Sequence, residues 1–296
     1  MWSIYALGGG WGHLTRAVAL ARAVGTQTPI RIVTNSPYAE FVQRYVPELD
    51  ILSVSSREET LCYLAGSDCL IVDTFPRGLL GELVDWLPRQ SMRKVLVARD
   101  LIPEYVESYA LRDFVAANYD LVLCPGEGEA FADLPRARMT DPWLVANVPE
   151  PCANRNLALV CACGNREEQG WYGEVAALLS REMPVLCVSP ACPLGCPTEV
   201  WRQHWPALEL FGSAKVVVGG AGYNLVNETR AANVPLIARA WMRLYDRQAL
   251  RAQRAGATLV ETPAEAVEAA RRVHEPRPRG LFENGAKQAA LAILDI

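Results

Sequence analysis

The 296 residues are 51% hydrophobic and carry a formal net charge of -4. That is enough apolar material for two ordinary cores, and the wrong sign for a partner rich in phosphate, so nucleic acid is excluded as the expected partner. The longest apolar runs, such as Leu157–Cys163, fall well short of the roughly 18 residues of a membrane-crossing helix. Met1 leads into a strand-like run with no basic stretch or small-residue cleavage site, which predicts a cytoplasmic protein.

In chain order, strand-like runs fall at Ile4–Leu7, Ile30–Val33, Ile51–Val54, Cys69–Val72, Val95–Ala98, Leu121–Cys124 and Leu144–Ala146, several separated by helical patterns. Such alternation predicts a mostly parallel sheet covered on both faces. The proline-rich polar stretch Val148–Asn154 reads as a linker. The alternation restarts with Leu157–Cys163, a helix around Tyr172–Arg181, Val185–Val188, Val216–Val218, a helix from about Asn224, Leu236–Ala238, and a helix from Asp246 closed by Gly256. The fold class is therefore α/β, with two doubly wound, Rossmann-like domains over residues 1–150 and 151–296, and with the last helix packing back on the first. Ligands of open parallel sheets bind beyond the carboxyl ends of the strands, so two such domains are expected to share a cleft.

Most of the nine cysteines lie in apolar runs and read as small buried hydrophobes. Cys192 and Cys196, in Pro-Ala-Cys-Pro-Leu-Gly-Cys-Pro, have a loop spacing open to a metal, a disulfide or plain packing.

The first strand runs into Gly8-Gly9-Gly10-Trp11-Gly12-His13 and then a helical pattern. Glycines let the backbone approach a ligand, and the free N–H groups and dipole of a helix start favour an anion. His13 at that mouth either caps and packs, or acts on the bound ligand. The same dipole keeps an imidazole neutral near pH 7, as a general base must be. Asp73, closing the fourth strand, orients His13, binds an acceptor, or makes a turn before Pro76. Asp100 stands similarly, with an Arg99 ion pair as its plainer explanation. The second half repeats the logic: Val216–Val218 feed Gly219-Gly220-Ala221-Gly222-Tyr223-Asn224 into a helix. Backbone N–H groups there suit a diphosphate, and Glu228, expected on the first turn, suits a ribose diol or is an ordinary dipole-favoured acid. Asp246 either meets the ligand or caps the next helix. Arg243, Arg247, Arg251 and Arg254 read as a solvated basic stretch.

The stretch Gly219–Gln248 with Ala255-Gly256-Ala257 resembles the donor-binding half of GT-B glycosyltransferases of the MurG type, glycosyltransferase family 28. Gly8–Arg16 resembles the glycine loop and histidine of that family's acceptor-side domain. The resemblance covers nearly the whole chain in architecture and these two stretches in motif. It implies that Gly220, Gly222, Tyr223 and Asn224 contact the donor diphosphate, that Glu228 holds the ribose, and that Asp246 and Gln248 contact sugar hydroxyls. Gly9, Gly10 and Gly12 would line the other wall, with His13 near the anomeric carbon; beside the resemblance, Asp73 is the residue expected to join His13 in catalysis where it orients the ring. The implied activity is inverting transfer from a nucleotide-diphosphate sugar, usually a UDP-sugar, to a hydroxyl or amine of a small-molecule or lipid-linked acceptor, the latter with peripheral membrane contact. No other cofactor is implied, and no Asp-x-Asp run suited to a metal is present. The chain is shorter than such enzymes, most visibly between Cys192 and Phe211, the part that normally reads the base. Nucleotide-sugar hydrolases of pseudaminic acid biosynthesis are similarly short and carry a like loop and histidine. A non-catalytic sugar-nucleotide-binding partner protein is the third expectation. Against the hydrolase stand Asp73–Gly78 and the aromatic segment Tyr105–Tyr119, which read as acceptor surface.

Overall fold

The computed structural model describes residues 1–273 and 282–296, so His274, one of the three histidines, lies outside the described residues. The chain divides into two compact units, Met1–Val145 with Glu283–Ile296, and Ala146–Phe282.

In the first unit seven strands form one sheet: β1 (Trp2–Tyr5), β2 (Ile30–Thr34), β3 (Asp50–Ser53), β4 (Cys69–Asp73), β5 (Arg93–Val97), β6 (Leu121–Pro125) and β7 (Ala137–Thr140). Every neighbouring pair is parallel, in the order β3-β2-β1-β4-β5-β6-β7. Every residue of β1, β4 and β6 is buried, as the unbroken apolar runs require of strands covered on both faces. The intervening helices are α1 (Trp11–Val24), α2 (Ala39–Gln43), α3 (Arg57–Leu64), α4 (Pro103–Ser108) and α5 (Leu111–Asn118). Leu144–Ala146 is not a strand, contrary to expectation; the seventh strand is β7. The Asn284 side-chain amide takes the Leu144 N–H and C=O at 3.0 and 2.8 Å, and Trp143 Nε1 donates to Thr140 Oγ1 at 3.1 Å. These bonds satisfy the apolar run as a buried loop, without a sheet partner.

The second unit holds β8 (Leu157–Cys161), α6 (Arg166–Leu179), β9 (Val185–Val188), β10 (Trp201–Arg202), β11 (Ala214–Gly220), α7 (Tyr223–Ala232), β12 (Leu236–Arg239), α8 (Gln248–Arg254), β13 (Thr258–Leu259) and α9 (Pro263–Arg271). Its six strands are again parallel, in the order β10-β9-β8-β11-β12-β13. The last helix, α10 (Ala286–Leu294), belongs to the first unit and packs on α1. No helix among the described residues is long and apolar enough to cross a membrane. Both sheets reverse strand order beside their first strand, between β1 and β4 and between β8 and β11, and it is at such switch points that the loops diverge and leave a crevice.

Candidate active site

At the switch point of the first unit, the chain leaves β1 through Gly8–Gly10 into α1, and β4 ends on Asp73. His13 Nδ1 stands 2.6 Å from Asp73 Oδ2. Arg16, one turn further along α1, donates to the same carboxylate: Nε to Oδ1 at 2.8 Å and Nη2 to Oδ2 at 2.6 Å. A carboxylate so placed makes His13 Nδ1 the protonated nitrogen and leaves Nε2 as the basic one. Burial pushes the His13 pKa down, with Asp73 opposing and Arg16 and Arg99 adding to the fall. Burial alone would raise Asp73, but the Arg16 charge and the hydrogen bonds from His13 and Arg16 overcome it and hold the carboxyl well below the usual range. The result is a fixed, neutral imidazole backed by a permanent carboxylate.

The surroundings hold this arrangement in place. A Cβ on Gly8 would stand 2.2 Å from His13 Cδ2 and Nε2, so the ring lies where only glycine leaves room. Phe75 stacks on the imidazole at 5.5 Å between centroids. Thr74 takes φ +72°, a strained value for a β-branched residue. Its Oγ1 accepts from Arg16 Nη2 at 3.2 Å and donates to Asp73 Oδ2 at 3.3 Å. The loop that follows is pinned from below: Tyr5 donates to Glu82 Oε1 at 2.5 Å, Tyr119 donates to the Pro76 carbonyl at 2.6 Å, and Arg77 lies over Tyr109 and Phe114. The aromatic segment expected to be acceptor surface thus braces the loop behind Asp73.

Gly9 and Gly10 open onto space, with no atom within 4 Å of where a Cβ would stand, and Gly12 meets only Arg16 Nη1 at 3.7 Å. The N–H groups of Gly8 and Gly9, expected to receive an anion, both donate to Asn35 Oδ1 at 2.9 Å. Asn35 was not foreseen; its place just past the end of β2, beside β1, is the signal that finds it. Asp100 is buried, and Arg99 forms an ion pair with Glu127. That carboxylate also accepts from the Asp100 N–H at 3.3 Å.

At the second unit's switch point the glycines divide their tasks. Gly219 and Gly220 end β11. A Cβ on Gly219 would strike Leu225 Cδ2 at 2.3 Å, and one on Gly220 would crowd the Tyr172 hydroxyl at 3.1 Å, so both are packing glycines. Gly222 is the N-cap of α7, offers no side chain to its N–H groups, and has no atom within 4 Å of where a Cβ would stand. The helix mouth is open there. Tyr223 is buried and Asn224 half-buried behind it. Glu228 falls in the second turn of α7, not the first, which removes the dipole-favoured reading. Its side chain is 6% exposed and makes no hydrogen bond or ion pair among the described residues. Burial pushes its pKa up to about 7, and its charge adds to the effect of burial in raising the Cys161 thiol at the end of β8. A carboxyl raised by burial and without a partner in the protein has its acceptor capacity open to a ligand's donors.

Asp246 and Gln248 are committed within the unit. Asp246 does not cap α8, whose N-cap is Arg247. It accepts from Arg251 at 2.5 and 3.1 Å, a pairing the carboxylate favours over a lone cap. Gln248 Oε1 accepts the Trp241 N–H at 3.2 Å and so ties the loop after β12. Arg243, expected to be solvated, forms a fork with the buried Glu168 at 2.6 and 2.7 Å. Asn165 Oδ1 caps α6 by accepting the Glu168 N–H at 3.0 Å. All nine cysteines are free thiols, Cys192 and Cys196 among them, and among the described residues no group of three or more His, Cys, Asp or Glu side chains is placed to hold a metal ion.

No family model and no curated protein matches the chain. Solved structures do. The glycotransferase of kitacinnamycin aligns at 15% identity and TM-score 0.61, over 99% of this chain and 98% of its own. The spinosyn rhamnosyltransferase SpnG, complexed with thymidine diphosphate, aligns at 13% identity and TM-score 0.60, over 100% and 95%. MnaA of S. aureus with UDP aligns at 12% identity and TM-score 0.59, over 98% and 95%. Likeness at this identity is a likeness of fold: the two Rossmann-like units are the GT-B architecture.

Proposed function

We propose that the chain is an inverting glycosyltransferase that moves a sugar from a nucleotide-diphosphate donor, a UDP-sugar by preference, to an acceptor hydroxyl or amine. The observation that carries this reading is Glu228, a buried carboxyl without a partner among the described residues, on a helix whose mouth is open at Gly222. A diphosphate at the mouth of α7 and a ribose diol on the carboxylate satisfy both at once. The GT-B neighbours include proteins solved with thymidine diphosphate and with UDP, which supports a nucleotide in this unit.

His13 supplies the base. Its Nε2 takes the acceptor proton, the acceptor oxygen or nitrogen forms a bond to the anomeric carbon, and the bond from that carbon to the phosphate oxygen breaks, with its electron pair leaving on the diphosphate. Asp73 stabilises the imidazolium that forms and fixes its tautomer. The N–H groups of α7 meet the charge growing on the leaving group. No step calls for a metal ion. The donor diphosphate is assigned to the second unit, where Gly222 and Glu228 lie on one helix, and proton transfer to the first, where His13 meets Asp73.

Calorimetric titration with UDP, dTDP and GDP, followed by nucleotide-release assays on the sugar forms of the best binder, tests this. Binding with acceptor-dependent release supports the transferase. Release into water alone replaces it with a hydrolase, and failure to bind any of the three nucleotides overturns it.

A further inference from the structure

Arg239 is the last residue of β12 and is held in an unusual way. Its guanidinium lies 3.8 Å from the centre of the Trp241 ring and 5.6 Å from that of Trp171. Trp241 is itself fixed at both ends, its Nε1 donating to the Tyr172 hydroxyl at 2.8 Å and its main-chain N–H to Gln248. The guanidinium makes no hydrogen bond or ion pair among the described residues, although the second unit's buried Glu168 engages another arginine, Arg243. All five of its donors are therefore unspent on a half-buried, pre-oriented cation.

Its position gives that cation a purpose. Arg239 is register-paired with Gly220, and its carbonyl accepts the Ala221 N–H at 3.3 Å, one residue before the open Gly222. The Tyr172 hydroxyl and Trp241 Cδ1 lie 3.1 and 3.8 Å from where a Gly220 Cβ would stand. The stacked guanidinium thus lies on the face of the sheet toward which a Gly220 Cβ would point, at the carboxyl end of β11 and β12.

We propose that Arg239 is a second anion-binding element of this unit, one that donates to the diphosphate received at Gly222 and neutralises part of the charge on the leaving group. This rests on the nucleotide-sugar reading above. A planar guanidinium matches two phosphate oxygens at once, and stacking on Trp241 lowers the entropy lost when it does so.

The experiment compares affinities of the parent chain, Arg239→Gln and Arg239→Lys for UDP and for uridine, with thermal unfolding of each free protein as the check on folding. The expected result is that Arg239→Gln weakens UDP by roughly 10- to 100-fold, as loss of a charge-assisted bond would, while uridine affinity stays within about twofold. Arg239→Lys, which keeps the charge without the fork, recovers part of the loss and is the variant that decides if the glutamine fails to fold. An equal loss for UDP and uridine, or none for either, overturns the role of Arg239 and leaves the nucleotide reading standing. A parent chain that binds neither UDP nor dTDP nor GDP removes the nucleotide reading, and this role with it.

Discussion

Replacing Glu228 by glutamine separates the cost of this carboxyl from its use. The group titrates at an ordinary 4.5 when exposed and at about 7 in the folded protein, because burial disfavours its charge. Folding therefore takes up a proton between those two values. The stability of the group is intact below 4.5, falls as pH rises toward 7, and above that is lower by about 3 kcal/mol, from about 1.4 kcal/mol for each pH unit between the two values. Glutamine stays neutral, so Glu228→Gln is expected to gain stability on the parent as pH rises from 5 to 8, by up to about 3 kcal/mol across the range. The amide brings N–H donors with their own burial cost, so the readout is the change of the difference with pH and not its absolute value. Urea unfolding of both proteins at pH 5, 6, 7 and 8 measures it. In the same variant uridine should bind about tenfold or more weakly, since the charged acceptor for the ribose diol is gone. A stability difference that is flat in pH would refute the burial argument, and unchanged uridine affinity would refute the ligand argument.

Other substitutions address the remaining parts of the site. Gly222→Asp adds a cap to α7 in space that is empty, so stability should hold or rise by a few tenths of a kcal/mol; UDP affinity should nevertheless fall at least about tenfold as the carboxylate takes the anion's place, as calorimetry would show. Gly8→Ala drives a methyl into the His13 ring and should lower kcat by about 100-fold or more with donor affinity unchanged; an active variant would mean the ring position is unimportant. Asp73→Ala leaves the buried Arg16 without its carboxylate and should cost about 3–5 kcal/mol in urea unfolding, whereas His13→Ala should cost far less stability while removing most turnover. Because burial sets the His13 pKa below its ordinary 6.5, turnover should rise with pH through an apparent pKa below that value and be level at neutrality; a limb still rising above pH 7 would count against this base.

Much of the molecule was legible from periodicity. The apolar runs at Ile30–Val33, Cys69–Val72, Leu121–Cys124 and Val185–Val188 are all strands, since a strand covered on both faces has little choice but to be continuously apolar. Leu144–Ala146 misled for the same reason: its first two residues are as buried as a strand, but the hydrogen bonds of Leu144 go to a side chain 140 residues away, which no local pattern records. The edge strands β10 and β13, two residues each, carry too little pattern to read. That His13 and Asp73 could meet follows from their places at strand ends, and their side chains do meet. Arg16, which completes their network, carries no local signal of that role because its partner is 57 positions distant. The glycines misled in a more instructive way. Gly219, Gly220 and Gly222 look alike in sequence, and only their neighbours tell two that admit close packing from the one that leaves a helix mouth open.

That difference explains why two similar strand-glycine-helix motifs need not do the same work. In the first unit Asn35 satisfies the loop amides from within the protein, and the loop's product is a rigid seat for an imidazole. Arg16 and Arg99 both disfavour protonation of the imidazole held there. In the second unit nothing on the N-cap residue satisfies α7, and the stacked cation Arg239 pairs with no carboxylate among the described residues. Similar glycine-rich devices thus seat an imidazole in one unit and pack a strand end beside an uncapped helix start in the other.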